Sequence, residues 1–480
     1  MRSSSGDRGD RNEREWMMKD QIVRHVLSET ESVCPVCLKK IKAYRVAEGG
    51  SVWLEKTCPD HGGFCVEVWG DHVPYEEWNR VKKPSVPVNP ATTFQRGCPY
   101  DCGLCPDHRQ HSCCVLLEIT ERCNLKCPVC FASSGRETAD PPIGELMETL
   151  ADLLTRGGPL NIQLSGGEPT VRDDLPEIIK RGKEMGHPFF QVNTNGLRLA
   201  SEPDYARLLA DAGLDCVFLQ FDGVSDDVYR KIRGRDLLSE KRTAIERCEE
   251  AGIGVVLVPT VCAGINTHEI GAILDFAVEN ISAVRGVHFQ PMTYMGRYPE
   301  GAPVRRFTLS HLLYEIEKQM DSRMKRTDFS PGGAENAYCS FSASYFVNPD
   351  GTLKTKTDPA ACGCGCGSPI PEAADRARQA RAYVAKAWKG AGRKKIDVGK
   401  MSIGGSVSAK RLTDTSSLDN FLENFQRRQL AVSAMYFMDV WNLDLDRLRD
   451  CYIHVADGKR LIPFCAYNLT AQNGKTLYRR

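Results

Sequence analysis

No stretch of the 480-residue chain stays apolar for the roughly 18 residues that a membrane-spanning helix requires, so no spanning segment is expected. The amino terminus also lacks the apolar segment of a secretory signal. Residues 1–20 are rich in Ser, Gly, Arg and acids, and a disordered tail is expected there. An excess of either charge is missing as well: 63 Lys and Arg face 62 Asp and Glu, a formal net charge of +1. That balance gives no electrostatic footprint for nucleic acid, and no nucleic-acid partner is expected. Cysteine, by contrast, is abundant, with 21 residues. They fall in short-spaced groups rather than in pairs across a small secreted domain, which points to metal ligation instead of disulfides. Hydrophobic residues at 41% allow a sizeable core, and the length suits about two to four domains. A cytoplasmic location is expected.

The most informative group is Cys123, Cys127 and Cys130, spaced C-x3-C-x2-C directly after the apolar run Val115 to Ile119. The run reads as a strand, so the three thiols share a loop at a strand end. Three thiolates can hold three irons of a cubane cluster and leave the fourth open to a small molecule. From Val115 to about Arg305, apolar strands alternate with amphipathic helices. Strands are predicted at 115–120, 161–165, 189–193, 216–221, 255–261 and 287–292, with helices at 143–155, 175–185, 204–212, 238–251 and 267–278. Repeated βα units imply a parallel sheet, and six of them suggest a partial (β/α)6 barrel. Ligand sites in such sheets gather at the carboxyl ends of the strands.

Gly166-Gly167-Glu168-Pro169 follows the second strand at once, about 40 residues after the cysteine loop. Glycines allow close approach of the backbone to a ligand, and the acid can accept from an ammonium. Asn195 ends the third strand and Asp222 the fourth, where each can meet a ribose, a carboxylate or substrate. Asn195-Gly196 also reads as a plain turn. Among Arg230, Arg233 and Arg235, one can reach a ligand carboxylate, and a solvated basic face is the competing reading. His288 sits among apolar neighbours and reads as a core histidine; Gln290 is a substrate-side candidate.

Three further groups flank this region. Cys34, Cys37 and Cys58, with either His61 or Cys65, describe a tetrahedral mononuclear site for zinc or a single iron. After the Pro-rich connector 84–90, Cys98, Cys102 and Cys105 repeat the C-x3-C-x2-C spacing, with a fourth thiol close by at Cys113-Cys114. A full set of four thiols would close that cluster and suit electron transfer. Near the end come Cys339, the run Cys362, Cys364 and Cys366, then Cys451 and Cys465, from which a further cluster can draw its ligands. Between them, residues 371–400 place Ala377, Ala380, Val384, Ala387 and Trp388 at helical spacing among Arg and Lys. Such a helix can lie peripherally on an anionic membrane, although its Ala-rich apolar face suits a solvated surface helix.

The Cys123 loop and the Gly-Gly-Glu-Pro motif together resemble the radical S-adenosylmethionine (SAM) superfamily. The run Gly97-Cys-Pro-Tyr-Asp-Cys-Gly-Leu-Cys105, His108, Cys113, the Cys123 loop and the terminal Ile462-Pro-Phe-Cys-Ala-Tyr-Asn468 resemble, more narrowly, the tetraether lipid synthase family, also described as pterin methylase-like. The resemblance implies a SAM-binding [4Fe–4S] cluster on Cys123, Cys127 and Cys130, and an auxiliary cluster on Cys98, Cys102, Cys105 and Cys113. It implies a second auxiliary cluster, for which Cys339, Cys451 and Cys465 are the candidates, and a mononuclear iron or zinc. The methionine amino group of SAM is expected at the Gly166–Pro169 motif. The implied reaction is reductive cleavage of SAM to methionine and a 5′-deoxyadenosyl radical, which takes hydrogen from an unactivated carbon so that lipid alkyl chains can be joined. An external donor such as ferredoxin or flavodoxin is expected. Methylation of a pterin is the alternative, and an iron–sulfur electron carrier is the alternative of another class. The expected domains are a tail (1–20), a metal module (21–92), an auxiliary cluster segment (93–116), the barrel (117–306) and a C-terminal auxiliary cluster and substrate domain (307–480).

Overall fold

The computed structural model describes residues 24–87, 90–298, 304–356, 370–390 and 428–479. The expected tail and the Cys362, Cys364 and Cys366 run lie outside the described residues.

A four-stranded antiparallel ribbon comes first: β1 (His25–Val33), β2 (Lys40–Glu48), β3 (Ser51–Cys58) and β4 (Gly62–Trp69), in that order. Its alternation is plain in β2, where Ile41 and Ala43 are buried while Lys40, Lys42 and Tyr44 face outward. The β1–β2 and β3–β4 turns lie at one end of the ribbon. Both metal knuckles therefore meet there.

The barrel strands follow: β5 (Cys114–Thr120), β6 (Asn161–Gly166), β7 (Phe189–Thr194), β8 (Cys216–Gln220), β9 (Gly254–Val258), the short β10 (Thr260–Val261) and β11 (Val284–Pro291). Strands β5 through β9 and β11 lie side by side in chain order and all pair in parallel. Each begins a βα unit, with α1 (Ile143–Gly157), α2 (Leu175–Glu184), α3 (Leu197–Ser201), α4 (Tyr205–Asp211), α5 (Asp226–Arg233), α6 (Leu238–Ala251) and α7 (Ile270–Glu279) between them. Apolar stripes on α1, α2, α6 and α7 bury Leu150, Ile178, Ile245 and Leu274 against the outer side of the sheet. This is the partial (β/α)6 barrel that the sequence implies.

After α8 (Leu309–Gln319) the chain continues in the same sheet. The remaining strands are β12 (Ser330–Pro331), β13 (Ser340–Val347), β14 (Leu353–Thr355), β15 (Gln429–Met435), β16 (Ile453–Asp457) and β17 (Arg460–Pro463). Strand β15 pairs in parallel with β11 at one barrel edge, and β13 pairs antiparallel with β15. On the opposite edge β16 pairs in parallel with β5, and β17 pairs antiparallel with β16. Strands β13, β15, β16 and β17 thus extend the barrel sheet at both of its edges.

The basic helix is α9 (Ala373–Trp388). It lies on the inner side of the sheet, opposite α1 to α7. Its Val384, Ala385 and Trp388 pack with Phe189, Phe218 and Val256, whereas the alternate strand residues Phe190, Val217 and Val255 face the outer helices. The helix crosses the strand starts: Asn161 Nδ2, at the first residue of β6, donates to Arg381 O at 3.1 Å. A Cβ on Gly254, the first residue of β9, would lie 2.2 Å from Trp388 O. The apolar stripe that suggested a solvated or membrane-surface helix is packed against the barrel.

Candidate active site and metal centres

Close backbone contact between two strand ends builds the principal site. Strand β5 ends at Thr120 and leads into the Cys123 loop; β6 ends at Gly166. Gly167 N donates to Thr120 O at 2.8 Å, and Glu168 N to Arg122 O at 2.9 Å. A Cβ on Gly166 would sit 2.1 Å from Thr120 O, and one on Gly167 2.1 Å from Arg122 O. No side chain fits there, which is the physical reason for the glycine pair. Cys123, Cys127, Cys130, Gly166, Gly167, Glu168 and Asn195 all line one cavity of about 190 Å³ at the carboxyl ends of the strands.

Glu168 is buried and heavily engaged. Oε1 accepts from Thr170 N, Thr170 Oγ1 and Thr194 Oγ1 at 3.1, 2.6 and 2.7 Å, and Oε2 accepts from Asn195 N at 2.7 Å. That leaves capacity on Oε2. Pro169 continues into the short helical turn 169–171 and is itself buried. Asn195 is more than a turn residue: its Nδ2 donates to Asn124 Oδ1, inside the cysteine loop, at 2.7 Å.

Asp222 takes a different place from the one its strand-end position suggests. It is fully buried, does not line the cavity, and holds Arg233 in a two-pronged pair at 2.6 and 2.8 Å. Arg233 lines the cavity, donates to Val129 O in the cysteine loop at 3.1 Å and stands beside the Cys127 thiol. Burial opposes the Arg233 cation, but Asp222 outweighs it, and the guanidinium titrates above its usual range. Of the three arginines, Arg230 and Arg235 are exposed. A ligand-facing cation backed by a buried acid is what distinguishes Arg233, and sequence spacing carries no trace of it.

Sequence reasoning missed Arg297, Asn193 and the apolar wall. Arg297 exchanges backbone hydrogen bonds with Cys130 at 2.8 and 2.9 Å, and its Nε donates to Cys127 O at 2.7 Å, so it clamps the cysteine loop from beyond β11. Asn193 Oδ1 is buried with no hydrogen-bond partner and belongs to the cavity lining. An orphaned acceptor beside three thiols and a carboxylate suits a bound polar ligand. Gln290 lines the cavity too. His288 does not: it accepts or donates at 2.9 Å with Ser433, and burial lowers it to about 4, as a neutral core histidine. The lining also carries Phe131, Met292, Met295, Phe437 and Phe464, and the rings of Phe131 and Phe437 pack on Phe464 at centroid separations of 5.5 and 4.3 Å. Burial pushes the Cys123 thiol up to about 11, aided by Glu168 and the neighbouring thiols. Burial raises Cys127 as well; thiols of this kind give up their protons to a metal, and three of them on one loop fit a cluster.

At the ribbon end, Cys34, Cys37, Cys58 and His61 bring their ligand atoms within 4.8 Å of one another. The separations are 3.9 Å for Cys37–Cys58, and 3.7 and 3.5 Å from His61 Nδ1 to Cys34 and Cys58. A tetrahedral ion with bonds of about 2.0–2.3 Å has edges of about 3.3–3.8 Å, so the set fits. Hydrogen bonding from His61 lowers Cys58 to about 6, already a thiolate at neutral pH. Cys65 is exposed, with Glu55 as its hydrogen-bond partner. The structure therefore assembles the site with His61 and leaves Cys65 out. His61→Ala should lose one metal equivalent per chain by elemental analysis, and Cys65→Ser should keep it; the reverse result would exchange the two ligands.

Cys98, Cys102 and Cys105 surround a small cavity with His108 and Arg449. Cys113, expected as their fourth partner, stands elsewhere. It lies just before β5, does not line that cavity, and has the Cys114 thiol, Glu335 and Arg381 as its neighbours. The reason is mechanical: Cys113 N is tied to Tyr452 O at 2.8 Å, which draws the residue into the sheet. Cys339, Cys451 and Cys465 come together around Arg447, whose Nη2 donates to Cys339 Sγ at 3.4 Å. His108 connects the two triads: its N donates to Cys105 O at 2.9 Å, and its Nε2 pairs with Cys451 O at 2.8 Å. Among the described residues each of these two groups brings three thiols together. Phe464, next to Cys465, reaches the principal cavity.

Comparison with known proteins agrees with this geometry. The radical SAM superfamily matches residues 117–277, and the HMPTM N-terminal zinc ribbon domain matches residues 26–70. The chain is similar to the 7,8-dihydro-6-hydroxymethylpterin dimethyltransferase of Methanocaldococcus jannaschii, at 34% identity over 474 residues, covering 92% of this chain and 93% of that protein. It is also similar to a probable GTP 3′,8-cyclase of Methanothermobacter thermautotrophicus, at 34% identity over 168 residues, 34% of this chain and 53% of the cyclase. Among solved structures, Streptococcus suis SuiB overlays with a TM-score of 0.37 at 16% identity, over 45% of this chain and 48% of SuiB. Similarity to the Methanocaldococcus protein runs through ribbon, barrel and terminal strands alike, and on that ground the chain belongs to its family within the radical SAM superfamily and is a radical SAM enzyme.

Proposed function

We propose that the enzyme acts on unactivated carbon in an apolar substrate, and that its product is a carbon–carbon bond between lipid alkyl chains, as in tetraether-type lipids. The carrying observation is the apolar cluster of Phe131, Met292, Met295, Phe437 and Phe464 in the lining of the cavity that holds the three cysteines. Thioether and aromatic side chains of this kind adapt to a flexible alkyl chain and exclude water. Glu168 is the one carboxylate of the described cavity lining; with its free Oε2 capacity given to the SAM amino group, none is left for the polar edge of a pterin.

When bound, the cluster and SAM supply a one-electron cleavage that yields methionine and a 5′-deoxyadenosyl radical able to take hydrogen from such a carbon. Cys123, Cys127 and Cys130 would hold the cluster; Glu168 Oε2 and Asn193 Oδ1 would receive the amino group and the other polar hydrogens of SAM. Arg233 and Arg297 keep the loop in place from two sides. Joining two alkyl ends removes two hydrogens, so two SAM and two electrons from a donor such as ferredoxin or flavodoxin are needed. The triads at Cys98 and Cys339 would carry auxiliary clusters, with His108 between them.

A second reading, methyl transfer to a pterin, is favoured by the name of the Methanocaldococcus relative and by the amides of Asn193 and Gln290 on the polar wall. Mass spectrometry of lipids and pterins from cells with and without the protein separates the two. Loss of tail-joined lipids with unchanged pterins is expected. Unchanged lipids with loss of a methylated pterin would sink the lipid reading.

A further inference from the structure

A second cavity, of about 270 Å³, opens at the other end of the barrel, near the strand starts. Its walls come from the end of α1, from α9, from the residues just before β5 and from the β16–β17 turn. Arg156, Arg378, Arg381, Lys459 and His111 line it, and among the described residues no Asp or Glu does. Arg156 and Arg378 have weak intrahelical partners, Asp152 at 2.7 Å and Asp375. Arg381 has no carboxylate partner among the described residues; its Nη1 reaches only Pro159 O at 3.4 Å. Burial and the nearby Arg378 depress the Arg381 cation. Cations crowded in a recess repel one another, and the strain is relieved by an anion.

We infer that this recess binds the phosphate group of a small ligand. Guanidinium pairs engage phosphate oxygens two at a time, and a lysine adds a point charge. The recess is concave, with Leu160 and Leu461 beside the cations, so it suits a phosphate ester with a short apolar neighbour more than a flat protein surface. It lies on the far side of the barrel from the cysteine cavity and does not depend on the reaction proposed there. The ester can be soluble, or it can be the headgroup of a phospholipid.

The test uses the full chain with its metals bound. Glycerol phosphate is titrated by calorimetry, with potassium chloride as the control anion, and vesicles of phosphatidic acid are tested by co-sedimentation against phosphatidylcholine. Saturable glycerol phosphate binding that weakens at least tenfold in Arg378→Gln/Arg381→Gln supports the site. Lys459→Gln, at an exposed turn, gives a milder variant should the double one fail to fold, and weakening of a few fold is expected. Vesicle binding lost in the variants, without binding of the soluble ester, assigns the site to a phospholipid headgroup. Absence of both kinds of binding in the unaltered protein, or equal binding in all variants, overturns the inference.

Discussion

Cys123→Ala should reduce formation of 5′-deoxyadenosine from SAM under dithionite to the level seen without protein. The variant should also hold about four fewer irons per chain, with the ribbon metal retained. The expectation rests on burial and crowding. The Cys123 thiol is pushed up to about 11, and Cys127 is raised as well. Both stay protonated without metal and become thiolates when irons bind. Removing Cys123 leaves two thiols, too few to hold a cubane. Liquid chromatography of the anaerobic reaction reads the first effect and iron analysis the second. Cleavage that survived in Cys123→Ala and vanished in Cys98→Ala would move the SAM site to the other triad.

Asp222→Ala is expected to destabilise the protein by about 3–5 kcal/mol, because Arg233 would remain as an unpaired charge in the interior. Both partners are almost fully buried, and the bidentate geometry is shared with Thr260 N, which donates to Asp222 Oδ1 at 3.0 Å. Asp222→Asn keeps an acceptor for Thr260 and should lose less. The double replacement Asp222→Ala/Arg233→Met removes both charges and should recover much of the loss. Urea unfolding of the metal-loaded protein followed by far-UV dichroism reads all three. If Asp222→Ala unfolded at the same urea concentration as the unaltered protein, the pair would be a bystander.

The barrel was legible because its information is local. Each strand is a short apolar run, each helix carries its own stripe, and α6 runs from Leu238 to Ala251 as its pattern predicts. The Cys123 loop and the glycine pair were legible for the same reason. Side chains whose meaning comes from distant partners were not. Asp222 reads as a ligand-facing acid until Arg233, eleven residues on, folds back onto it. Arg297 has no motif at all, and its role comes from pairing with Cys130. Cys113 stands close to Cys105 in sequence, yet the backbone of Tyr452 draws it away. The α9 stripe was visible, but an Ala-rich face does not declare what will cover it.

The pairing of β15 with β11 and of β16 with β5 has a bearing on biosynthesis. The six central strands leave the ribosome well before residues 429–463 do. Through that interval the outer strands β5 and β11 carry unpaired backbone donors and acceptors, the situation that invites strand-to-strand aggregation. A nascent chain of this design depends on residues 429–463 to seal both flanks. Truncation there should cost solubility first, before any question of catalysis arises.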